Sequence, residues 1–285
     1  MPTFTTPFTT QFTTPGPIAA TVEVAGAQVR VTASDRTDTV VHVEPIDAAS
    51  RKDVKVAERT TVEFADSQLS VKTKTAGDKK GSVAIRIDLP AGSSLAAYLA
   101  YSNVHAEGSL GPSELHLASG QVQLDSIDAL RASIASGDVT IGHIAGRTDI
   151  DGAAFTMRIG EVKGTVGFLN SGGQTWIGHA TADLGLRSGS SDFDIDRADG
   201  SVTAQTGSGA IRIGRMTGGR ARLTNGSGNI DVGIAEGAAA SIDVNSERGA
   251  VHNYVSSPAE PASDAKVSVH ARTRHGDITI QRVAG

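Results

Sequence analysis

The chain has 285 residues, of which 39% are hydrophobic and 33 are glycine, but only 4% are aromatic; this is too apolar for a disordered chain and too poor in large side chains for an ordinary globular core. A net charge of −5 from 26 basic and 31 acidic residues gives no basic footprint for nucleic acid, and the absence of cysteine excludes disulfides and thiolate metal sites. No apolar run is long enough to span a membrane and the first residues show no secretory pattern, so the expected compartment is the cytoplasm, with the cell surface left open.

Residues 4–15 read Phe-Thr-Thr-Pro, Phe-Thr-Thr-Gln, Phe-Thr-Thr-Pro, with Phe4, Phe8 and Phe12 heading the three tetrapeptides. Proline and threonine at this density oppose a helix. Residues 1–17 are expected to form a flexible tail; the alternative is that the three rings dock on a partner or on the end of the chain's own fold. From Ile18 short alternating strands take over: Val22 with Val24, Val29 with Val31, Val41 with Val43, then residues 62–64, 69–71 and 83–89. A helical turn or two fits only over residues 47–57. The Lys72, Lys74, Lys79, Lys80 cluster is interrupted by Asp78 and reads as a solvated loop. Residues 18–95 are therefore expected to be a strand-rich region capping a repetitive domain.

From residue 96 to residue 285 the sequence repeats. The first residues of successive central strands are Val122, Val139, Met157, Thr175, Phe193, Ile211, Ile230, Val251 and Ile278, spaced 17, 18, 18, 18, 18, 19, 21 and 27 apart. Two residues further on come Leu124, Ile141, Ile159, Ile177, Ile195, Ile213, Val232, Asn253 and Ile280, on the same strand face and apolar apart from Asn253. Seven residues before each reference position runs a second apolar series from Leu115 to Ala271, and Ile127, Ile144, Val162, Ala180, Ala198 and Met216 form a third. Three buried faces per repeat predict an all-β, single-stranded parallel β-helix, a solenoid with coils of about 18 residues whose units cannot fold alone. Recurrent glycines, among them Gly142, Gly178 and Gly214 in one series and Gly173, Gly209, Gly228 and Gly249 in another, are expected at its corners. The inward Asn170, Ser188, Thr206, Asn225, Ser246 and Thr273 are expected to form a structural polar file.

Candidate chemistry lies on outward positions. Arg158, Trp176, Asp194, Arg212 and Asp231 fall between the inward residues of successive coils. They read either as a solvated charge ladder or as a ligand stripe for an extended polymer, with the only tryptophan as its platform. His143, Glu161, His179, Arg197 and Arg215 form a second file, whose straightness argues against convergence on one metal ion. No nucleophile elbow, phosphate loop or metal motif appears, so no catalytic, cofactor or metal residues are assigned.

The strings Ser136-Gly-Asp-Val-Thr-Ile, Ser208-Gly-Ala-Ile-Arg-Ile and Ser227-Gly-Asn-Ile-Asp-Val, with Ile87-Asp-Leu-Pro-Ala-Gly and Ala65-Asp-Ser-Gln-Leu-Ser-Val upstream, resemble a bacterial "putative adhesin" family, a β-strand-repeat domain of unknown function. Ser67 stands where that pattern usually has glycine. The resemblance spans residues 18–282 and implies the β-solenoid; its pattern contains no functional residues. The expected function is a non-enzymatic scaffold or binding module presenting its faces to a protein or polysaccharide partner. The alternatives are a carbohydrate-active β-helix enzyme, a self-assembling filament like the bactofilins formed by end stacking, and a surface adhesin.

Overall fold

Alternation of apolar and polar residues makes strands nearly everywhere along the chain. The computed structural model describes residues 8–73, 81–255 and 266–284; Phe4, Lys74, Lys79, Lys80, Pro258 and Pro261 fall outside them. The chain divides into two compact units, residues 1–142 and 143–285.

The first unit runs β1 (Phe8–Thr13), β2 (Ala19–Ala25), β3 (Ala27–Ser34), β4 (Asp38–Pro45), α1 (Arg51–Arg59), β5 (Thr60–Ala65), β6 (Gln68–Thr73), β7 (Val83–Pro90), β8 (Ser94–Leu110), β9 (Ser113–Ile127) and β10 (Leu130–Ile144). The helix starts where Ser50 caps the amide of Asp53, a side chain that satisfies an otherwise orphaned N–H. The strand β8 is shared: its first half pairs in parallel with β2 and its second half with β3. β9 pairs with β8 in a parallel ladder, with Val104 opposite Val122. β5 and β6 form a hairpin whose turn residues, Asp66 and Ser67, both take left-handed backbone angles, φ 50° and 59°.

Two expectations fail in this unit. Residues 8–13 are no free tail: β1 pairs antiparallel with β4, burying Phe8 and stacking Phe12 on Phe64 at 4.8 Å between ring centroids. Every second position of that segment is a Phe or a Thr, which suits a strand with one buried face. Nor does a boundary fall near residue 95, because β2 and β3 are built into the same ladder as β8.

The second unit opens with three long strands, β11 (Thr148–Val162), β12 (Val166–Ala180) and β13 (Leu184–Ala198). They are parallel and offset by 18 residues, so that Ile159, Ile177 and Ile195 stand in one file. Each later layer is two shorter strands: β14 (Val202–Ser208) with β15 (Ile211–Met216), then β16 (Gly219–Ser227) with β17 (Ile230–Ala235). The inner positions are shut off from solvent, Leu186, Ile213 and Leu223 being at most 1% exposed.

Chain order breaks after β17. The next strands are β18 (Ala239–Arg248), β19 (Val251–Asn253), β20 (Lys266–His275) and β21 (Ile278–Val283). The layer that pairs with β16 and β17 is β20 and β21, the later of the two in sequence; β18 and β19 pair outside it. The spatial order is thus Ile230, Ile278, Val251, whereas the repeat predicts stacking in sequence order with the connection to Ile278 covering the end. Burial explains the exchange. The inward residues Val269, Ala271, Ile278 and Ile280 are all apolar and at most 1% exposed, whereas the other layer brings Asn253, which a buried position would leave without hydrogen-bond partners. The layer with the polar residue takes the edge.

The polar file falls in register from Asn170 through Ser188, Thr206, Asn225 and Thr273 to Ser246. These side chains bond the backbone at the bends: Asn225 Nδ2 donates to the carbonyls of Gly209 and Gly228 at 3.0 Å, and Ser246 Oγ donates to Gly276 O at 2.8 Å. At the same bend Gly209 has φ +127° and a Cβ there would overlap the carbonyl of Ser191. The other glycine series works differently. Gly214 keeps an ordinary φ, and its lack of a side chain admits the close backbone of Asp196.

Candidate functional site

The outward face of β11, β12, β13, β15 and β17 carries the first candidate. Parallel register places Arg158 beside Trp176, Trp176 beside Asp194, Asp194 beside Arg212 and Arg212 beside Asp231. All five residues therefore lie in one file, about 4.8 Å apart along it. The indole of Trp176 lies forward along its own strand, over Gly178, where a Cβ would stand 3.0 Å from its Cη2. Glycine at that place gives the ring a flat bed. Arg158, Trp176, Asp192 and Asp194 line a groove of about 260 Å³ together with Gln174. Beyond it, Arg212 Nη1 donates to Asp194 Oδ1 at 2.5 Å and reaches Asp196 Oδ1 at 3.3 Å, which holds the guanidinium raised above its ordinary pKa through those bonds. The groove thus brings together an aromatic side chain, a cation on one neighbouring strand and carboxylates on the other.

The second file is a relay of imidazoles and carboxylates. Glu161, His179, Arg197 and Arg215 are in register. His143 Nδ1 lies 3.0 Å from Glu161 Oε2, His179 Nδ1 lies 3.8 Å from Glu161 Oε1, and His179 Nε2 lies 2.7 Å from Asp199 Oδ2. Asp199 also accepts from Arg197 Nε at 2.9 Å and from Thr217 Oγ1 at 2.6 Å. Its partial burial opposes ionisation, but the bonds from Arg197, Thr217 and His179 outweigh it and hold the carboxyl far below the usual carboxylate range. Among the described residues no group of three His, Asp or Glu side chains is arranged to hold a metal ion. Alternate side chains share their carboxylates pairwise along a line, which is the geometry of an ion ladder.

Asp199 is not among the residues that the 18-residue period singles out, yet it closes this ladder. Its signal is in a shorter spacing. A base and an acid two residues apart recur as Arg36 with Asp38, His105 with Glu107, Arg147 with Asp149 and Arg197 with Asp199, and each pair is bonded at 2.8 to 2.9 Å. On a strand, positions i and i+2 share a face, so such a pair is a local ion bridge. Of the three phenylalanines proposed to dock, Phe8 and Phe12 meet the chain's own first unit, and Phe4 lies outside the described residues.

The architecture defines an all-β protein with a long, largely parallel sheet and regular strand pairs. The chain belongs to the family described as Toastrack DUF4097, whose model matches residues 20–281. No curated protein matches it. Similar solved structures include a "putative adhesin" from Parabacteroides merdae, 12% identical over 97% of this chain and 95% of that one with a TM-score of 0.42. Another "putative adhesin", from Bacteroides fragilis, is 14% identical over 99% of each chain with a TM-score of 0.36. A "putative lipid binding protein" from Parabacteroides distasonis is 10% identical over 97% of this chain and 96% of that one, at a TM-score of 0.41.

Proposed function

We propose that the repeats coil as a single-stranded parallel β-helix and that the protein is a non-enzymatic binding module, presenting the Arg158–Trp176–Asp194 face to an extended polymer such as a polysaccharide. The observation that carries this reading is the groove beside Trp176, where the indole stands between Arg158 and the carboxylates of Asp192 and Asp194. Binding sites combine an apolar surface with a few polar groups that fix orientation, and stacked repeats offer such surfaces in extended form. Trp176 is the only tryptophan in the chain, so its fluorescence reports on this face alone. Titration with a panel of soluble polysaccharides is expected to shift that emission for at least one of them, with binding lost in Trp176→Ala and weakened in Arg158→Ala. A flat emission across the panel, together with no change in pull-down partners between wild type and Trp176→Ala, removes the reading. The surface-adhesin version of it requires export, and cell fractionation that finds the protein only in the cytosol ends that version.

A second reading, self-assembly end to end, is favoured by one observation: the edge layer β18–β19 leaves Val251 44% and Tyr254 67% exposed. Unpaired strand edges are templates for further strands. Electron microscopy at micromolar concentration tests this reading, and fields of monomers alone reject it.

A further inference from the structure

The placement of β20 between β16 and β18 gathers residues that are distant in sequence. Arg220 and Arg222 stand two apart on β16 and so share a face. Arg220 is in register with Ser268 of β20, which is in register with Ser241 of β18. On its other side, Ser201 Oγ accepts the Arg220 backbone N–H at 3.3 Å. Arg222 is in register with Thr203 of β14, and Lys266 opens β20 beside Ala239. Serine, alanine and glycine flank the two arginines, and the space these small residues leave is a depression of about 660 Å³. Three cations and four hydroxyls line it, with no carboxylate among the described residues.

Several cations elsewhere in the second unit have acids of their own, Arg197 with Asp199, Arg212 with Asp194 and Arg147 with Asp149. Arg158, Arg187 and Arg215 form no ion pair among the described residues, but they stand singly rather than around one depression. The side chains of Arg220, Arg222 and Lys266 have no ion pair or hydrogen bond among the described residues. The acid nearest in the same rows, Asp243, is already engaged by His270 at 2.9 Å and Arg272 at 2.7 Å. Three such cations around one depression, in a chain of net charge −5, call for an anion. We propose that this depression is an oxyanion site that takes a phosphate or sulfate monoester. A planar guanidinium donates in pairs to two oxygens of a tetrahedral group, and the ammonium adds a point charge. Arg220 stands about 7–8 Å from both Arg222, its alternate neighbour on β16, and Lys266, its diagonal neighbour on β20. Arg222 and Lys266 flank it about 14 Å apart, and their long side chains reach a group held over Arg220, with Ser241 and Ser268 as further donors. The site lies on β14, β16, β18 and β20, apart from the Trp176 face, and does not depend on the polymer reading.

The test is titration of the full chain with glucose 6-phosphate, glucose 6-sulfate and glucose, followed by calorimetry and by amide NMR shifts. Saturable binding of either ester, none of glucose, and shifts centred on the amides of Gly219 to Arg222 and Ser268 are expected. Arg220→Gln with Arg222→Gln is expected to weaken the ester by about tenfold or more, with an unchanged thermal melt because both side chains are exposed. Arg131→Gln, which removes an exposed charge of β10 that belongs to neither site, is expected to leave binding unaltered. Failure of both esters to saturate, or equal losses in the Arg131 variant and in the double variant, overturns the proposal.

Discussion

Asp199 shows how a single carboxylate can tie together three layers. It draws on His179 and Arg197 of neighbouring positions and on Thr217 from the layer beyond. Because the fold depresses its pKa, its stabilising contribution is complete above the ordinary carboxylate pKa and is lost as the pH falls below about 4. Asp199→Asn is therefore expected to lower stability at neutral pH by about 1–3 kcal/mol and to flatten the acid limb of a melting-temperature profile; an unchanged acid limb would contradict this. The turn at Asp66 and Ser67 makes the opposite point. Both residues hold left-handed angles that cost a side-chain-bearing residue roughly 1–2 kcal/mol, in a two-residue hairpin that favours Asp-Gly. Ser67→Gly is expected to raise stability by up to about 1 kcal/mol, read in a denaturant titration.

Among the strands, the periods of 2 and 18 make most of the second unit legible. The file Ile159, Ile177, Ile195 and the polar file through Asn225 come directly from alternation and spacing. Deleting a member is costly: Ile195→Ala is expected to destabilise by about 2–5 kcal/mol in chemical denaturation, since its neighbours above and below cannot close the cavity. Which layer sits beside which is harder to read. A parallel ladder constrains only the register of its neighbours, and nothing in a period forces neighbours to be consecutive in the chain. Asn253, alone among the inward residues of its column in being polar, is the available clue to the edge layer. Hydrogen exchange tests the order directly. Amides of β20 and β21, flanked on both sides, are expected to exchange more slowly than those of β18 and β19 despite coming later in the chain, because protection follows burial and pairing. The candidate groove is half visible in the same way. The 18-residue spacing places Arg158, Trp176 and Asp194, whereas the bed that Gly178 makes for the indole depends on how the ring turns along its strand, which no spacing encodes.

On the scale of the whole molecule, two hazards are set by the edge layer and by charge. Val251 presents an apolar side chain on a strand edge that is unpaired among the described residues, and edges of this kind are usually blunted by lysine or proline. Val251→Lys is expected to reduce any concentration-dependent growth in sedimentation or light scattering while leaving the melt unchanged. The oxyanion depression is invisible to composition, because Lys266 is separated from the two arginines by more than forty residues of sequence and meets them only through the placement of β20. That same placement has a temporal consequence. Chains emerge from the ribosome N-terminus first and fold as they appear, but here β18 and β19 have no layer to rest on until β20 and β21 have been made and inserted beneath them. Synthesis halted before Lys266 would therefore strand β18 and β19 in solution and expose the apolar flank of β16 and β17.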